Sequence, residues 1–310
     1  MIIDVHCHLF DENLPSRQWW AEYIRISAFL SGTPEEKLWQ RTPGWWDVSG
    51  DMLVQDMDLA GIDKSIILVN DMALAVGTGE AMNIEEQHKT FSKAAKKYPD
   101  RLIPFAGVDP RRLGAVDLFE RAIKEWNMKG LKLQPAVGFY PNDQKCYLLY
   151  QKCVEFDIPV LIHTGPEIPP MQSKYGMPLL LDEVAMDFPK LKIIAAHAGA
   201  CYWEEMLEIS NNKTNFWLDL AWWQPKIFSN PVENFYKPLR TMLDLGNPER
   251  VLFASDWPSL RQVRRLGPGG KVWVDAFRNI PEEAKAAGID FTEEEINGVL
   301  GGNAAKLLGL

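Results

Sequence analysis

The sequence predicts an α/β chain folded as a closed (β/α)8 TIM barrel with an aromatic-rich cap inserted after the first strand. Three observations carry that expectation. Eight short apolar runs alternate with segments of helical periodicity. The length, 310 residues, suits a barrel of about 250 residues with insertions. Several of the apolar runs end in histidine or aspartate, where a barrel builds its functional rim.

The first strand candidate is residues 2–6 (IIDVH), followed by 64–70 (KSIILVN), 102–108 (LIPFAGV) and 130–134 (GLKLQ). The remaining four are 159–163 (PVLIH), 191–197 (LKIIAAH), 216–220 (FWLDL) and 251–256 (VLFASD). Between them, spacing near 3.6 residues predicts helices over 51–60, 84–98, 114–126 and 143–156. Further helices are expected over 179–188, 202–209, 232–245 and 293–308. An open, doubly wound sheet is the alternative. No GxGxxG or P-loop follows the first strand, which weakens its nucleotide-binding form.

Two stretches break the rhythm. Residues 11–50 carry Trp19, Trp20, Trp39, Trp45 and Trp46. An insertion after a strand's C-terminal end is expected to sit over the barrel mouth as a lid. Residues 261–290 read as a long loop after the eighth strand with short helical pieces. With no linker and no low-complexity tract, residues 1–310 are expected to form one domain.

Composition excludes several functions. Net charge is −9 and the pI about 5.2, so the chain lacks the electrostatic attraction that nucleic acid or anionic lipid requires. Mean hydropathy is −0.19, and no apolar run approaches the ~18–20 residues of a membrane span. Residues 1–6 (MIIDVH) show no basic and apolar pattern, so no secretory leader is expected. Cys7, Cys146, Cys153 and Cys201 are scattered and form no CxxC, which reads as reduced thiols in a cytoplasmic protein.

The histidines carry the chemistry. His6 and His8 are two apart at the end of the first strand, so both imidazoles can face the barrel axis, with Asp4 on the same side one step deeper. His163 ends the fifth strand, His197 the sixth, and Asp256 the eighth. A lone histidine at a strand end is usually a core residue; four converging on one rim with an aspartate are not. His88, inside a helical pattern, reads as a surface residue. Imidazoles plus a carboxylate suit one divalent transition metal ion, Zn²⁺ first, with Mn²⁺ or Fe²⁺ possible. A catalytic centre keeps one position open, and one imidazole can remain free for proton transfer. A structural metal site in a non-catalytic binding protein is the competing idea. Such sites are commonly closed and Cys-rich, and Cys7 would point away from the axis.

Asp4-Val5-His6-Cys7-His8 resembles the first-strand DxHxH of the amidohydrolase superfamily. The likeness continues through LIHTG (His163), AAHAG (His197), FASDWP (Asp256) and the closing GGNAAKLLGL. It is similar to the amidohydrolase-related branch that includes aminocarboxymuconate-semialdehyde decarboxylase, and it spans residues 2–310 apart from the tryptophan-rich insertion. The resemblance implies that His6, His8, His163 and Asp256 bind a single metal. It implies that His197 acts as acid/base or orients water, and that Asp256 also accepts a proton. Lys132 falls near the position where binuclear relatives carry a carboxylated lysine; here it reads as structural or substrate-contacting.

Two reactions fit: metal-assisted hydrolysis of a lactone, amide or similar bond in a small cyclic or aromatic carboxylated substrate, or non-oxidative decarboxylation of an aromatic or muconate-type acid. Aromatic decarboxylases of the family often place proline directly after the fifth-strand histidine. Thr164 and Gly165 stand here, which tilts the reading toward hydrolysis. Trp222 and Trp257, after strands seven and eight, are the tryptophans expected in the pocket. Arg261 and Arg264, or Arg111 and Arg112, are candidates to hold a substrate carboxylate through a bidentate fork. A small-molecule substrate is the expected partner, and a homodimer or higher homo-oligomer the expected assembly.

Overall fold

A computed structural model of the chain describes residues 1–76, 83–258 and 270–310. All eight expected strands form: Ile3–Cys7 (β1), Lys64–Leu68 (β2), Leu102–Gly107 (β3), Leu131–Leu133 (β4), Val160–Ile162 (β5), Ile193–Ala195 (β6), Phe216–Asp219 (β7) and Val251–Leu252 (β8). They pair in parallel in chain order. The last strand meets the first through Val5 N to the Phe253 carbonyl (3.1 Å) and His8 N to the Trp257 carbonyl (2.7 Å). The result is a TIM barrel rather than an open sheet.

The barrel interior is a separate apolar cluster that includes Ile3, Val5, Ile66, Leu68, Phe105, Leu161, Ile194 and Leu252, joined by Leu307 of the C-terminal helix Asn303–Leu308. The larger core lies between strands and helices. Backbones approach closely in the wall. A Cβ on Gly107 would lie 2.1 Å from the Val69 carbonyl oxygen, so only glycine fits there.

β1 departs from simple alternation. Its register against β2 shifts between Asp4 and Cys7. Val5 faces the interior, yet His6 and His8 do so as well, because the irregularity inserts one residue. Asp4 is therefore not on the side of the two histidines. Its Oδ1 accepts from the backbone N–H groups of Ser255 (2.9 Å) and His6 (3.1 Å), which stitches β1 to the segment after β8. Cys7 also turns away from the interior, toward the Ser255 hydroxyl.

The helix Ile84–Lys97 starts on a capping box made by Asn83 and Glu86. His88 on this helix is buried, not exposed as its helical setting suggested. Its Nδ1–H donates to the Ile84 carbonyl at 2.7 Å, and its ring stacks on Trp126. Burial lowers its pKa to about 4.

Residues 11–50 hold the helix Arg17–Ser31, capped by the Ser16 hydroxyl, a short helix Glu35–Trp39 and a 3-10 turn Thr42–Trp45. Trp20 is enclosed by Phe10, Trp19, Tyr23, Trp45 and Trp46, and its indole N–H donates to the Asp11 carbonyl at 2.8 Å. Trp19 and Tyr23, one helical turn apart, stack on each other. After β8, the helix Lys271–Glu283 follows the undescribed residues.

Candidate active site

The C-terminal strand ends bring His6, His8, His163, His197, Asp219 and Asp256 to one buried place. Hydrogen-bond partners fix the tautomers of three imidazoles. His6 Nδ1 lies 2.9 Å from the Asp219 carboxylate, which only accepts, so Nδ1 carries the proton and Nε2 keeps a bare lone pair. His197 Nδ1 lies 3.2 Å from the Ala221 carbonyl and donates to it. Its Nε2 then accepts from His163 Nδ1 at 3.2 Å. That leaves His163 Nε2 bare, buried and without a hydrogen-bond partner.

The bare Nε2 of His6 lies 3.1 Å from His8 Nε2 and 3.5 Å from Asp256 Oδ1, and Asp256 Oδ1 lies 3.2 Å from His8 Nε2. His6, His8 and Asp256 thus offer three ligand atoms within 4.8 Å of one another; His163 is not in that group and pairs with His197 instead. A lone pair and a carboxylate oxygen facing each other this closely are stabilised by a cation. His8 Nδ1 accepts from the Asn70 amide N–H (3.1 Å) or donates to the Leu68 carbonyl (3.4 Å); the first puts a proton on Nε2, toward Asp256, and the second leaves Nε2 available to a metal.

Electrostatics agree with ligation. Burial, then the Lys132 charge, holds His6 well below the usual imidazole range; burial likewise lowers His163 and His197, so all three are neutral. Burial pushes the Asp256 carboxyl up; the His8 hydrogen bond, with the charge that the neighbouring imidazoles carry whenever they are protonated, outweighs it and brings the carboxyl below its usual range. Burial raises Asp219 and moves Glu167 to about 7. Lys132, buried and without a hydrogen-bond or ion-pair partner among the described residues, is brought down to about 8 by burial, against the pull of Asp219, Asp256 and Glu167.

All of these groups except Asp219 line a cavity of about 450 Å³. Phe10, Trp19, Tyr23, Met72, Ile168 and Trp222 give it an apolar wall; Asn70, Lys132, Gln134 and Glu167 give it polar points. Asp219 organises the rim. Its Oδ1 accepts from the backbone N–H groups of His197 (2.9 Å) and Ala221 (3.0 Å), while the Trp223 indole donates to the His197 carbonyl (2.8 Å). His197 and Trp222 both take left-handed backbone conformations, φ 59° and 64°, in this pinned segment. Thr164, in place of proline, donates to the Ala196 carbonyl and accepts from Gly199 N, tying the end of β5 to the turn after β6.

Several expected contacts are corrected. Trp257 does not line the cavity; it is buried in the wall and its indole donates to Asp56 at 2.8 Å. Left-handed backbone at Asp256, φ 55°, turns the chain so that the carboxylate faces in while the next side chain faces out. Arg111 is committed to Asp109, and Arg112 holds Asp71 in a two-point ion pair; neither lines the cavity. Arg261 and Arg264 lie outside the described residues. Trp222 and Lys132 line the cavity. Sequence reasoning missed Asp219, Asn70, Gln134 and Glu167. An aspartate closing the seventh apolar run (FWLDL) was the available signal for the first.

The fold and site have relatives. A family model described as amidohydrolase matches residues 3–310. The chain belongs to the amidohydrolase family. A 2-keto-4-carboxy-3-hexenedioate hydratase of Sphingobium sp. (strain NBRC 103272 / SYK-6) is 23% identical to this amidohydrolase, covering 99% of it and 96% of the relative. The solved 5-carboxyvanillate decarboxylase of Novosphingobium aromaticivorans, with bound manganese, is similar to it at TM-score 0.68 and 18% identity, over 100% and 97% of the two chains. The probable 2-pyrone-4,6-dicarboxylic acid hydrolase of Acinetobacter baumannii, solved with citric acid bound, gives 0.66 and 16%, over 100% and 99%. These amidohydrolase relatives are enzymes, and hydration now stands beside the hydrolysis and decarboxylation weighed from sequence. No helix among the described residues is long and apolar enough to cross a membrane.

Proposed function

We propose that this amidohydrolase holds one divalent metal ion on His6, His8, His163 and Asp256 and uses it to direct water at a small, planar, carboxylate-bearing substrate. The bond attacked is a lactone or amide carbonyl, or a conjugated double bond as in the hydratase relative. One observation carries the reading: His6 Nε2, His8 Nε2 and an Asp256 carboxylate oxygen converge on a buried point, in a cavity that the bare Nε2 of His163 and the buried Lys132 ammonium also line. The three-imidazole, one-carboxylate set suits Zn²⁺ first, with Mn²⁺, carried by the decarboxylase relative, and Fe²⁺ as alternatives.

A bound ion would supply Lewis acidity toward water and a substrate oxygen. The residues supply the rest. Lys132 anchors the substrate carboxylate. Asp256, ionised at neutral pH, accepts the proton that the attacking water loses. His197, held at its backbone N, its carbonyl and Nδ1 by residues 219–223, relays to the product the proton that Asp256 takes from water. Glu167, near neutrality and with Oε2 3.7 Å from His163 Nε2, is a second proton carrier. Phe10, Trp19 and Trp222 sandwich the planar part, and residues 11–50 act as the lid. Residues 1–310 work as one domain, in a homo-oligomer of the cytoplasm.

Decarboxylation is the second reading, and the aromatic wall favours it. It needs only one proton donor, whereas the site places carboxylates, imidazoles and an ammonium around one point, as water addition demands. The test is metal analysis of protein purified without chelator, with the same preparation incubated with lactones, amides, unsaturated oxo-dicarboxylic acids and hydroxybenzoates. Water addition predicts products whose combined mass exceeds that of the substrate by one water. Products lighter by one carbon dioxide would establish decarboxylation instead, and a metal-free preparation that turns over would overturn both.

A further inference from the structure

We infer that Gln134 is a specificity-determining residue whose Oε1 accepts a hydrogen bond from a hydroxyl or enol group on the bound acid. The inference rests on the cavity binding a small planar acid, as proposed above, and adds the chemical group that the acid must carry.

The orientation of the Gln134 amide is fixed by its partners. Its Nε2 donates to Glu167 Oε2 at 2.8 Å and points a second hydrogen toward Met171 Sδ at 3.8 Å. The Met171 thioether only accepts, and Glu167 does so while ionised. Turned end for end, the amide would set its oxygen against the thioether and would need a proton on Glu167, so the contacts support Nε2 on both partners. Glu167 is itself held: its Oε1 accepts from the Ile168 backbone N–H at 2.9 Å, and its own N–H donates to the Ser173 hydroxyl at 3.1 Å.

Gln134 Oε1 is consequently a stationary acceptor, and it has no hydrogen-bond partner. The side chain is 5% exposed and lines the cavity. An unsatisfied buried acceptor is costly. Solvent does not reach this oxygen, so a ligand group that comes within reach of it must bring a donor of its own.

Register supplies the second half of the code. Lys132 and Gln134 are two residues apart at the end of β4, and both line the cavity. Alternate residues on a strand stand about 6–7 Å apart on one face. An ammonium for an anion and a neutral acceptor for a donor are thereby presented side by side. That pair reads a carboxylate and a hydroxyl on the same small molecule, and it rejects the ether that keeps the shape but lacks the proton.

The probes are 2-, 3- and 4-hydroxybenzoate and the three corresponding methoxybenzoates, titrated by calorimetry into Zn²⁺-loaded and chelator-treated protein. At least one hydroxy isomer is expected to bind roughly 10- to 100-fold more tightly than its methyl ether, the scale of one stranded buried acceptor. In Gln134→Met the ratio is expected to fall to about twofold or less. In Glu167→Gln the lock is released, because the new amide can donate to Gln134 Oε1, and the ratio is expected to fall with Gln134 still present. Circular dichroism on both variants reports folding, and the second variant stands if the first misfolds. Equal binding of hydroxy and methoxy probes by the native protein, discrimination retained in Gln134→Met, or failure of all six probes to bind would each overturn the inference. Protein that takes up no metal yet discriminates would keep the role of Gln134 and refute the metal-dependent reading. Metal-loaded protein that turns over a substrate without discriminating would do the reverse.

Discussion

Asp219→Asn isolates the residue on which the proposed metal centre depends without being a ligand. In the native protein Asp219 Oδ2 takes the proton of His6 Nδ1 at 2.9 Å, and Oδ1 takes two backbone N–H groups. Asparagine can keep its oxygen on the two backbone donors. Its amide NH₂ then faces His6 Nδ1, and two donors cannot share that contact. His6 must move its proton to Nε2, the atom aimed at His8 Nε2 and Asp256 Oδ1. The lone pair needed for ligation is lost, or is kept only with a donor–donor clash. Loss of such an outer partner weakens metal affinity by about 10–100-fold, or about 1.4–2.7 kcal/mol. Fold stability should fall by only about 1–2 kcal/mol, because the backbone bonds of His197 and Ala221 survive. The assay is competitive Zn²⁺ titration against a chromophoric chelator, with urea denaturation of the metal-free protein alongside. Unchanged affinity in a folded Asp219→Asn would refute the tautomer argument and the role given to His6 Nε2.

Three further outcomes follow from the geometry. Trp222→Gly should leave stability unchanged or raise it by up to about 1 kcal/mol, since φ 64° is strained for tryptophan and free for glycine; binding of aromatic acids should weaken at least severalfold, and a variant that loses stability but not affinity would contradict this. His88 has a folded-state pKa lowered from 6.5 to about 4, so the unfolded chain binds more protons in that window. Its contribution is intact above pH 6.5 and is lost, by about 3 kcal/mol, as pH falls to 4; urea unfolding of His88→Gln should show a pH dependence reduced by that amount, and an unchanged slope would refute it. Trp257→Phe should cost about 1–3 kcal/mol by leaving Asp56 short of a buried donor, with affinity for aromatic acids unchanged; loss of affinity would return Trp257 to the cavity.

The barrel was legible because each strand is a short apolar run bounded by a turn, and parallel strands buried on both faces need nothing more. His6, His8, His163, His197 and Asp256 were legible because strand ends in a barrel converge. What stayed hidden depended on local breaks in that regularity. Period-two alternation put Asp4 beside the histidines, but one inserted residue in β1 sent it to the other face. The expectation that Trp257 joins Asp256 in the pocket fails because the two adjacent side chains face opposite ways. His88 reads as exposed because nothing in its own helix reveals the Trp126 ring that covers it. Asp219, Gln134 and Glu167 act through partners 22 to 213 residues away in sequence, pairings that no local pattern encodes.

The central claim is that His6, His8, His163 and Asp256 hold one metal ion while His197 moves a proton. Metal content and turnover measured side by side on His163→Ala and His197→Asn test it most directly. The account predicts about one ion per chain in the native protein, loss of both metal and activity in His163→Ala, and near-full metal in His197→Asn with kcat lower by roughly 10²–10⁴. Metal lost as fully from His197→Asn as from His163→Ala would make His197 a ligand, and full metal retention by His163→Ala would remove His163 from the set; either result contradicts the account.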